Sequence, residues 1–341
     1  MAPREPGIPA PLKAMRVAAR AVGNARRQSI RVRTVVAKAG FPYRAPTIPR
    51  GVQVLPEKRR TGSDFETDWA RRPAARAARQ LIVNGPMRGV LRVLANPERT
   101  GLDRLRDLLD ADPVAPVVFV SNHHSHLDAG LMLTSIPEPW RSKIVVGAAA
   151  DYFFTTRLTG AVSALALGAF PIERSTISRR SSDLAADLID EGYSLLIFPE
   201  GGRSPDGWGQ PFKGGAAYLA ERCDVAVIPV FIDGAGSILG KGMKRPKRGR
   251  TKVTFGMPIR PFEGENVRRL NERIEDAVSL LGDESLNDFY GARLRAARGE
   301  TPSLHGPEIN GWRRAWALAD HRTRGMAGKR RRQKRRWPKL G

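Results

Sequence analysis

Between Val117 and Phe255 the chain repeats one pattern: a short apolar run, a turn, then a helical stretch. Candidate strands fall at Val117–Val120, Ile144–Gly147, Phe170–Ile172, Ser194–Phe198, Val225–Phe231 and Lys252–Phe255. Helical patterns lie between them, near Leu127–Ser135, Phe153–Leu167, Thr176–Glu191 and Phe212–Arg222, and a further one near Asn266–Leu281 closes the region. Strands that alternate with helices cannot pair as hairpins, because each crossover returns the chain to the same end of the sheet. The pattern predicts an α/β fold, a mostly parallel sheet flanked by helices, with functional groups beyond the carboxyl ends of the strands.

The formal charge of +24 invites a nucleic-acid reading, so its distribution matters. Met1–Arg50 carries eleven Lys/Arg against one acid, Lys241–Lys252 seven against none, and Arg322–Gly341 ten against none, which together supply +27. Ala111–Ala235 carries nine Lys/Arg against fourteen acids. The core is therefore acidic and the basic parts are appendages. The tail from Gly328 to Lys339, GKRRRQKRRWPK, has one aromatic, Trp337. Without an interleaved stacking platform this argues against a single-strand nucleic-acid groove and for an anionic membrane surface.

Residues 1–64 read as a basic, flexible N-terminal segment. Residues 65–101 read as amphipathic, membrane-associating helices: arginines alternate with apolar clusters, and Pro86 interrupts the pattern. Packing of the same helices on the core is the other reading of those residues. A compact domain is expected over 102–285, followed by a basic extension over 286–341. The longest uncharged stretch, Leu158–Ile172, is too short to span a bilayer, which takes about 18 or more residues, so no transmembrane helix is expected. No secretory signal is expected either, for want of an apolar segment with a small-residue cleavage site. The single Cys223 reads as a packed helix residue.

Three of the five histidines fall within six residues, in SNHHSHLD, Ser121–Asp128. Read from His124, the letters are His-x-His-x-Asp, the opening of the zinc signature of metallo-β-lactamase-like hydrolases. That pattern needs a further histidine where Ala129 stands, and more downstream, where only His305 and His321 remain. Read from Asn122, the letters are Asn-His-x4-Asp, with His123 and Asp128 five residues apart. On one regular helix that separation is about 140°, so the pair meets only if a turn precedes the helix. Ser125 could start that helix, with Asp128 three residues on, as a capping box.

Three further blocks follow in order: GAFPIER at Gly168–Arg174, FPEGGRS at Phe198–Ser204 and VIPVFI at Val227–Ile232. Together with the histidine block they resemble the glycerolipid acyltransferase family, whose best-known members convert lysophosphatidate to phosphatidate. The resemblance runs from about Leu102 to Leu281 and includes PFKGGAAYLA and TFGMPI. It implies an acyltransferase that takes an acyl group from acyl-CoA or an acyl carrier protein, with no other cofactor and no metal, acting peripherally at the cytoplasmic face of a membrane.

The same resemblance makes His123 the general base and Asp128 its orienting partner, and it associates Arg174, Glu200 and Gly201 with the acceptor. Acyl transfer to a hydroxyl suits imidazole, which can take the proton as the oxygen attacks. Arg203 and Arg174 can hold a phosphate by charge-assisted bonds, and Gly201 with Gly202 can bring backbone amides close to an anion. Glu200 has a second reading, an ion pair with Arg203. Lys213 is a further cation for the acceptor or donor phosphates, and the family links the block around Pro229 to the acyl-donor pocket. Gly202 stands where the family usually has Thr, and Pro171 where it usually has an aliphatic residue. His124 and His126 read as helix-start or surface residues.

Overall fold

The computed structural model describes residues 62–173, 179–204 and 207–305. Arg174 and the basic stretches before 62 and after 305 lie outside the described residues. Seven strands form one sheet: β1 (Pro97–Thr100), β2 (Val118–Ser121), β3 (Ile144–Ala149), β4 (Ala169–Ile172), β5 (Ser194–Ile197), β6 (Val227–Asp233) and β7 (Thr251–Phe255). Their order is β1-β7-β6-β2-β5-β3-β4, parallel throughout except for the antiparallel β6–β7 pair. The α/β, mostly parallel architecture expected from the alternating pattern is the one observed.

β2 is central and every residue in it is buried. Alternation of side chains sends Phe119 into one core and Val118 and Val120 into the other. The Phe119 face is covered by helix Asp128–Ser135 and the N-terminal helices, through Leu131, Met132, Leu133 and Leu91. The opposite face is covered by the helices that carry Ala185, Leu219, Leu270 and Ile274. A strand buried on both faces has no need of polar alternation, which is why β2, β5 and β6 read as continuous apolar runs.

This layering positions the site. The helix after β2 lies on one face of the sheet and the helix after β5, Gly215–Arg222, on the other. The two strands are neighbours, so their departing chains separate and leave a crevice at their carboxyl ends.

The N-terminal residues depart in detail from a pair of separate helices. Helices Pro73–Ile82 and Arg88–Ala95 are joined by one π-helical segment, Val83–Met87, which contains Pro86. A proline cannot donate the helical bond at its position, and the wider turn accommodates it. One face of these helices packs on the domain, as the second reading expects. Arg79 is buried, donating to Ala70 O at 2.6 Å, Leu165 O at 2.9 Å and Ala164 O at 3.0 Å, and burial lowers its pKa to about 10. Its carbonyl partners on helix Arg157–Leu167 tether the N-terminal helices to the domain. Leu81, Val90 and Val93 stay exposed.

Three local patterns read differently in the fold. The predicted helix from Phe153 is broken: Ala150–Phe153 is one turn, and Arg157 restarts a helix behind a capping box of Thr156 and Thr159. β1, with the polar sequence PERT, pairs with β7 as an edge strand whose middle residues are exposed. Helix Phe289–Ala297 carries little apolar pattern because ion pairs hold it: Arg295 meets Asp283 at 2.7 Å. Among the described residues no helix is long and apolar enough to cross a membrane.

Candidate active site

The chain leaves β2 at Ser121 and enters the turn Asn122–Leu127 before helix Asp128–Ser135 begins. Asn122 is fully buried and anchors the turn with both ends of its amide. Its Nδ2 donates to Ile232 O at 2.9 Å, and its Oδ1 accepts from Ile232 N at 2.7 Å. The turn folds His123 back onto the helix start, so the five-residue separation closes and His123 Nδ1 lies 2.9 Å from Asp128 Oδ2.

Asp128 is wholly buried, and the same Oδ2 accepts from His124 N at 2.8 Å and Ser125 N at 2.7 Å. The Ser125 amide bond is half of a capping box. Ser125 Oγ does not complete it and instead donates to Leu239 O at 2.9 Å. The capping and dyad readings of Asp128 thus describe one carboxylate, fixed by backbone amides and presented to the imidazole. A carboxylate on Nδ1 selects the tautomer that leaves Nε2 free to accept a proton.

The loop after β5 locks the other side of His123. Phe198 stacks on the imidazole with ring centroids 4.3 Å apart. Ser204 N donates to His123 O at 2.8 Å. Glu200 is buried and works as a clamp: Oε1 accepts from His123 N at 2.8 Å, and Oε2 accepts from Gln210 N at 3.0 Å. Burial raises its pKa to about 7, against the lowering effect of those two amides, and nearby Asp128 and Glu275 raise it further. Among the described residues Glu200 forms no ion pair with Arg203; it joins the β2 turn to the β5 loop.

The crevice opens into a cavity of about 660 Å³. Most of its wall is apolar, with Met87 and Leu91 from the N-terminal helices facing Ala148, Leu167 and Leu219. Its polar lining includes His123, His126, Arg203, Lys213 and Lys241, together with Glu173, Ser181 and Ser182. Arg203 Nη1 contacts His126 Nε2, and its guanidinium lies 5.5 Å from the centroid of the Tyr152 ring. Burial, then the Arg203 and His123 charges, hold the His126 pKa below its ordinary value.

Of the residues singled out by sequence, His123, Gly201, Gly202, Arg203 and Lys213 line this cavity, with Asp128 and Glu200 directly behind His123. The Gly201 amide donates to Phe198 O at 3.1 Å, so it is engaged within its own turn. Gly201 has φ +70°, and a Cβ there would meet Lys213 Nζ at 2.7 Å. Pro229 is absent from the cavity wall: it faces the opposite core, against Gly256, because strand alternation turns it with Val227 and Phe231. Sequence reasoning missed His126, Tyr152, Phe198 as a stacking partner, and Lys241. The first block contained His126, and the basic run Lys241–Lys252 contained Lys241, but only the packing of loops brings them to one cavity wall.

Fold and site together define an open α/β sheet with a His–Asp pair at its switch point, facing a mostly apolar cavity whose wall also carries Arg203, Lys213 and Lys241. Such a site suits base chemistry on an amphiphile that carries an anion. Residues 99–233 match the profile of the Acyltransferase family. The chloroplastic 1-acyl-sn-glycerol-3-phosphate acyltransferase BAT2 of Brassica napus is 32% identical over 164 residues, which cover 47% of this chain and 45% of that protein. The 1-acyl-sn-glycerol-3-phosphate acyltransferase alpha of Bos taurus is 27% identical over 185 residues, covering 52% of this chain and 62% of that protein. On the profile and these relatives, the chain is similar to acyltransferases over this part of its length. It spans about half the length of the curated relatives it matches, 45% and 62% of the two described. A solved structure, the 1-acyl-sn-glycerophosphate (LPA) acyltransferase PlsC of Thermotoga maritima, is 20% identical with a TM-score of 0.49, covering 67% of this chain and 85% of that one.

Proposed function

We propose that the protein transfers a fatty acyl group from an acyl thioester, acyl-CoA or acyl carrier protein, to the free hydroxyl of lysophosphatidate, forming phosphatidate. One observation carries the reading: the His123–Asp128 pair, 2.9 Å apart, faces a mostly apolar cavity whose wall also carries Arg203, Lys213 and Lys241. The acceptor hydroxyl attacks the thioester carbonyl while His123 Nε2 takes its proton. The new C–O bond forms, the C–S bond breaks, and the departing thiolate takes the proton from the imidazolium. Asp128 stabilises the imidazolium through Nδ1. Glu200 and Phe198 act through His123 as positioning residues.

Arg203 and Lys213 suit the acceptor phosphate, because fixed cations in a partly desolvated cavity wall form strong charge-assisted bonds. Arg174 is kept in the same role by family resemblance. The apolar body of the cavity suits an acyl chain. Delivery of both lipids calls for attachment to a bilayer: Leu81, Val90 and Val93 are exposed on the N-terminal helices, and Lys241–Arg250 is a basic, largely exposed loop. That pairing of apolar and basic groups supports peripheral binding to an anionic membrane surface, and the cytoplasmic face is part of the same proposal.

The test uses purified protein, oleoyl-CoA and lysophosphatidate, with release of free thiol as the readout. His123→Ala should lower the rate by about 10²–10⁴ or more. Full activity in that variant would overturn the base assignment. Equal rates with lysophosphatidylcholine or a glycolipid in place of lysophosphatidate would overturn the acceptor assignment.

A further inference from the structure

A second cavity, about 450 Å³, lies on the other side of Leu91, which lines both. Three arginines line it: Arg88 and Arg92, one helical turn apart on helix Arg88–Ala95, and Arg99 on β1. Asn96 and Thr134 complete its polar wall. Arg88 Nη2 donates to Thr134 O at 3.2 Å, and its Nε is buried without a hydrogen-bond partner among the described residues.

Three arginines elsewhere are neutralised by carboxylates, Arg104 by Glu284 at 2.5 Å, Arg273 by Glu265 at 2.5 Å and Arg295 by Asp283 at 2.7 Å, whereas buried Arg79 donates to backbone carbonyls. Among the described residues no carboxylate forms an ion pair with Arg88, Arg92 or Arg99. Arg99 is an exposed residue of β1, and partial desolvation of its guanidinium, then the like charges of Arg88, Arg141 and Arg92, lower its pKa. Like charges gathered around one concavity repel to the extent that solvent does not screen them, and an entering anion relieves that repulsion.

We propose that this cavity, lined by Arg88, Arg92 and Arg99, is a phosphate-binding site separate from the His123 site. A phosphate monoester fits the chemistry: it carries about −1.5 to −2 charge and three acceptor oxygens, which guanidinium forks bind bidentately. The group can come from a lipid headgroup or from free phosphate. Either would join helix Arg88–Ala95, strand β1 and helix Asp128–Ser135, the elements that supply the site's arginines and threonine.

The experiment reads binding without turnover. Thermal unfolding is followed with inorganic phosphate against chloride of equal ionic strength, for wild type, Arg88→Gln/Arg99→Gln, and a control with two exposed arginines changed, Arg106→Gln/Arg298→Gln. Phosphate should raise Tm in wild type and control, and its apparent affinity should fall by about tenfold or more for each cavity guanidinium lost. Sedimentation with phosphatidylcholine vesicles containing phosphatidate, or phosphatidylserine at matched surface charge, separates the sources. A preference for phosphatidate that the cavity variant loses identifies the lipid headgroup, and a phosphate-dependent Tm rise without that preference identifies the free anion. Absence of both effects in wild type, or equal losses in the control, overturns the proposal. Removing Arg99 relieves like-charge repulsion, so the cavity variant should melt no lower than wild type. If it melts lower, Arg88→Lys/Arg99→Lys, which keeps the charges and loses the forks, carries the same comparison.

Discussion

Glu200 offers the sharpest test of the site's construction. Burial raises its carboxyl from the ordinary 4.5 to about 7, so between those pH values the folded protein holds a proton that the unfolded chain has lost. The folded state binds more protons in that window, and stability must fall as pH rises through it. A displacement from 4.5 to about 7 corresponds to about 3 kcal/mol between the protonated and ionised forms, of which about 2–3 kcal/mol is lost between pH 5 and 8. Glu200→Gln removes the titration and keeps the shape. It leaves one of the two clamped amides, His123 N or Gln210 N, facing a donor, so the variant should be less stable than wild type at pH 5. Its deficit should then shrink by about 2–3 kcal/mol by pH 8, because the wild-type protein alone carries the cost of ionisation. Urea unfolding of both proteins at half-unit steps from pH 5 to 8 measures the difference. The difference is taken between the two proteins, so Glu275 and Asp276, whose pKa values are also raised by burial, cancel. A difference constant to within about 0.5 kcal/mol would refute the reasoning, since the carboxylate would then titrate alike in both states.

Gly201→Ala should cost about 1–2 kcal/mol in urea unfolding, because φ +70° disfavours a Cβ and Lys213 Nζ occupies its space; equal stability would show that the turn relaxes freely. Arg203→Ala should raise KM for lysophosphatidate about tenfold or more with a smaller change in kcat; a fall confined to kcat would point to a role through His126 instead. Leu81→Glu/Val93→Glu places charges on exposed apolar positions of the N-terminal helices and should weaken sedimentation with anionic vesicles; unchanged binding would move the membrane contact elsewhere.

Much of the sheet was legible because its strands are buried on both faces. Val118–Ser121, Ser194–Ile197 and Val227–Asp233 announce themselves as apolar runs, and no other element of similar length explains such runs between helical stretches. The edge strand Pro97–Thr100 and the helix Phe289–Ala297 were not legible. Both are held by backbone pairing or ion pairs to distant residues, such as Asp283, rather than by an apolar period of their own. The His123–Asp128 spacing pointed to a turn before the helix, and the turn is there. What closes it, the amide of Asn122 bonded to Ile232, joins residues far apart in sequence and leaves no local pattern.

The sequence by itself determined the layered α/β class and the ordered blocks, since hydrophobic period and motif order are properties of the linear chain. The tertiary structure alone decided what each block residue touches. It made Glu200 a clamp on His123 rather than an ion-pair partner of Arg203, and it set Pro229 in the core behind the sheet. It also brought His126 and Lys241 to the cavity wall and collected Arg88, Arg92 and Arg99 with no carboxylate paired to them among the described residues. The physical reason is shared: hydrogen bonds and charges act over a few ångströms in space, and residue order does not record which loops the sheet's topology brings that close.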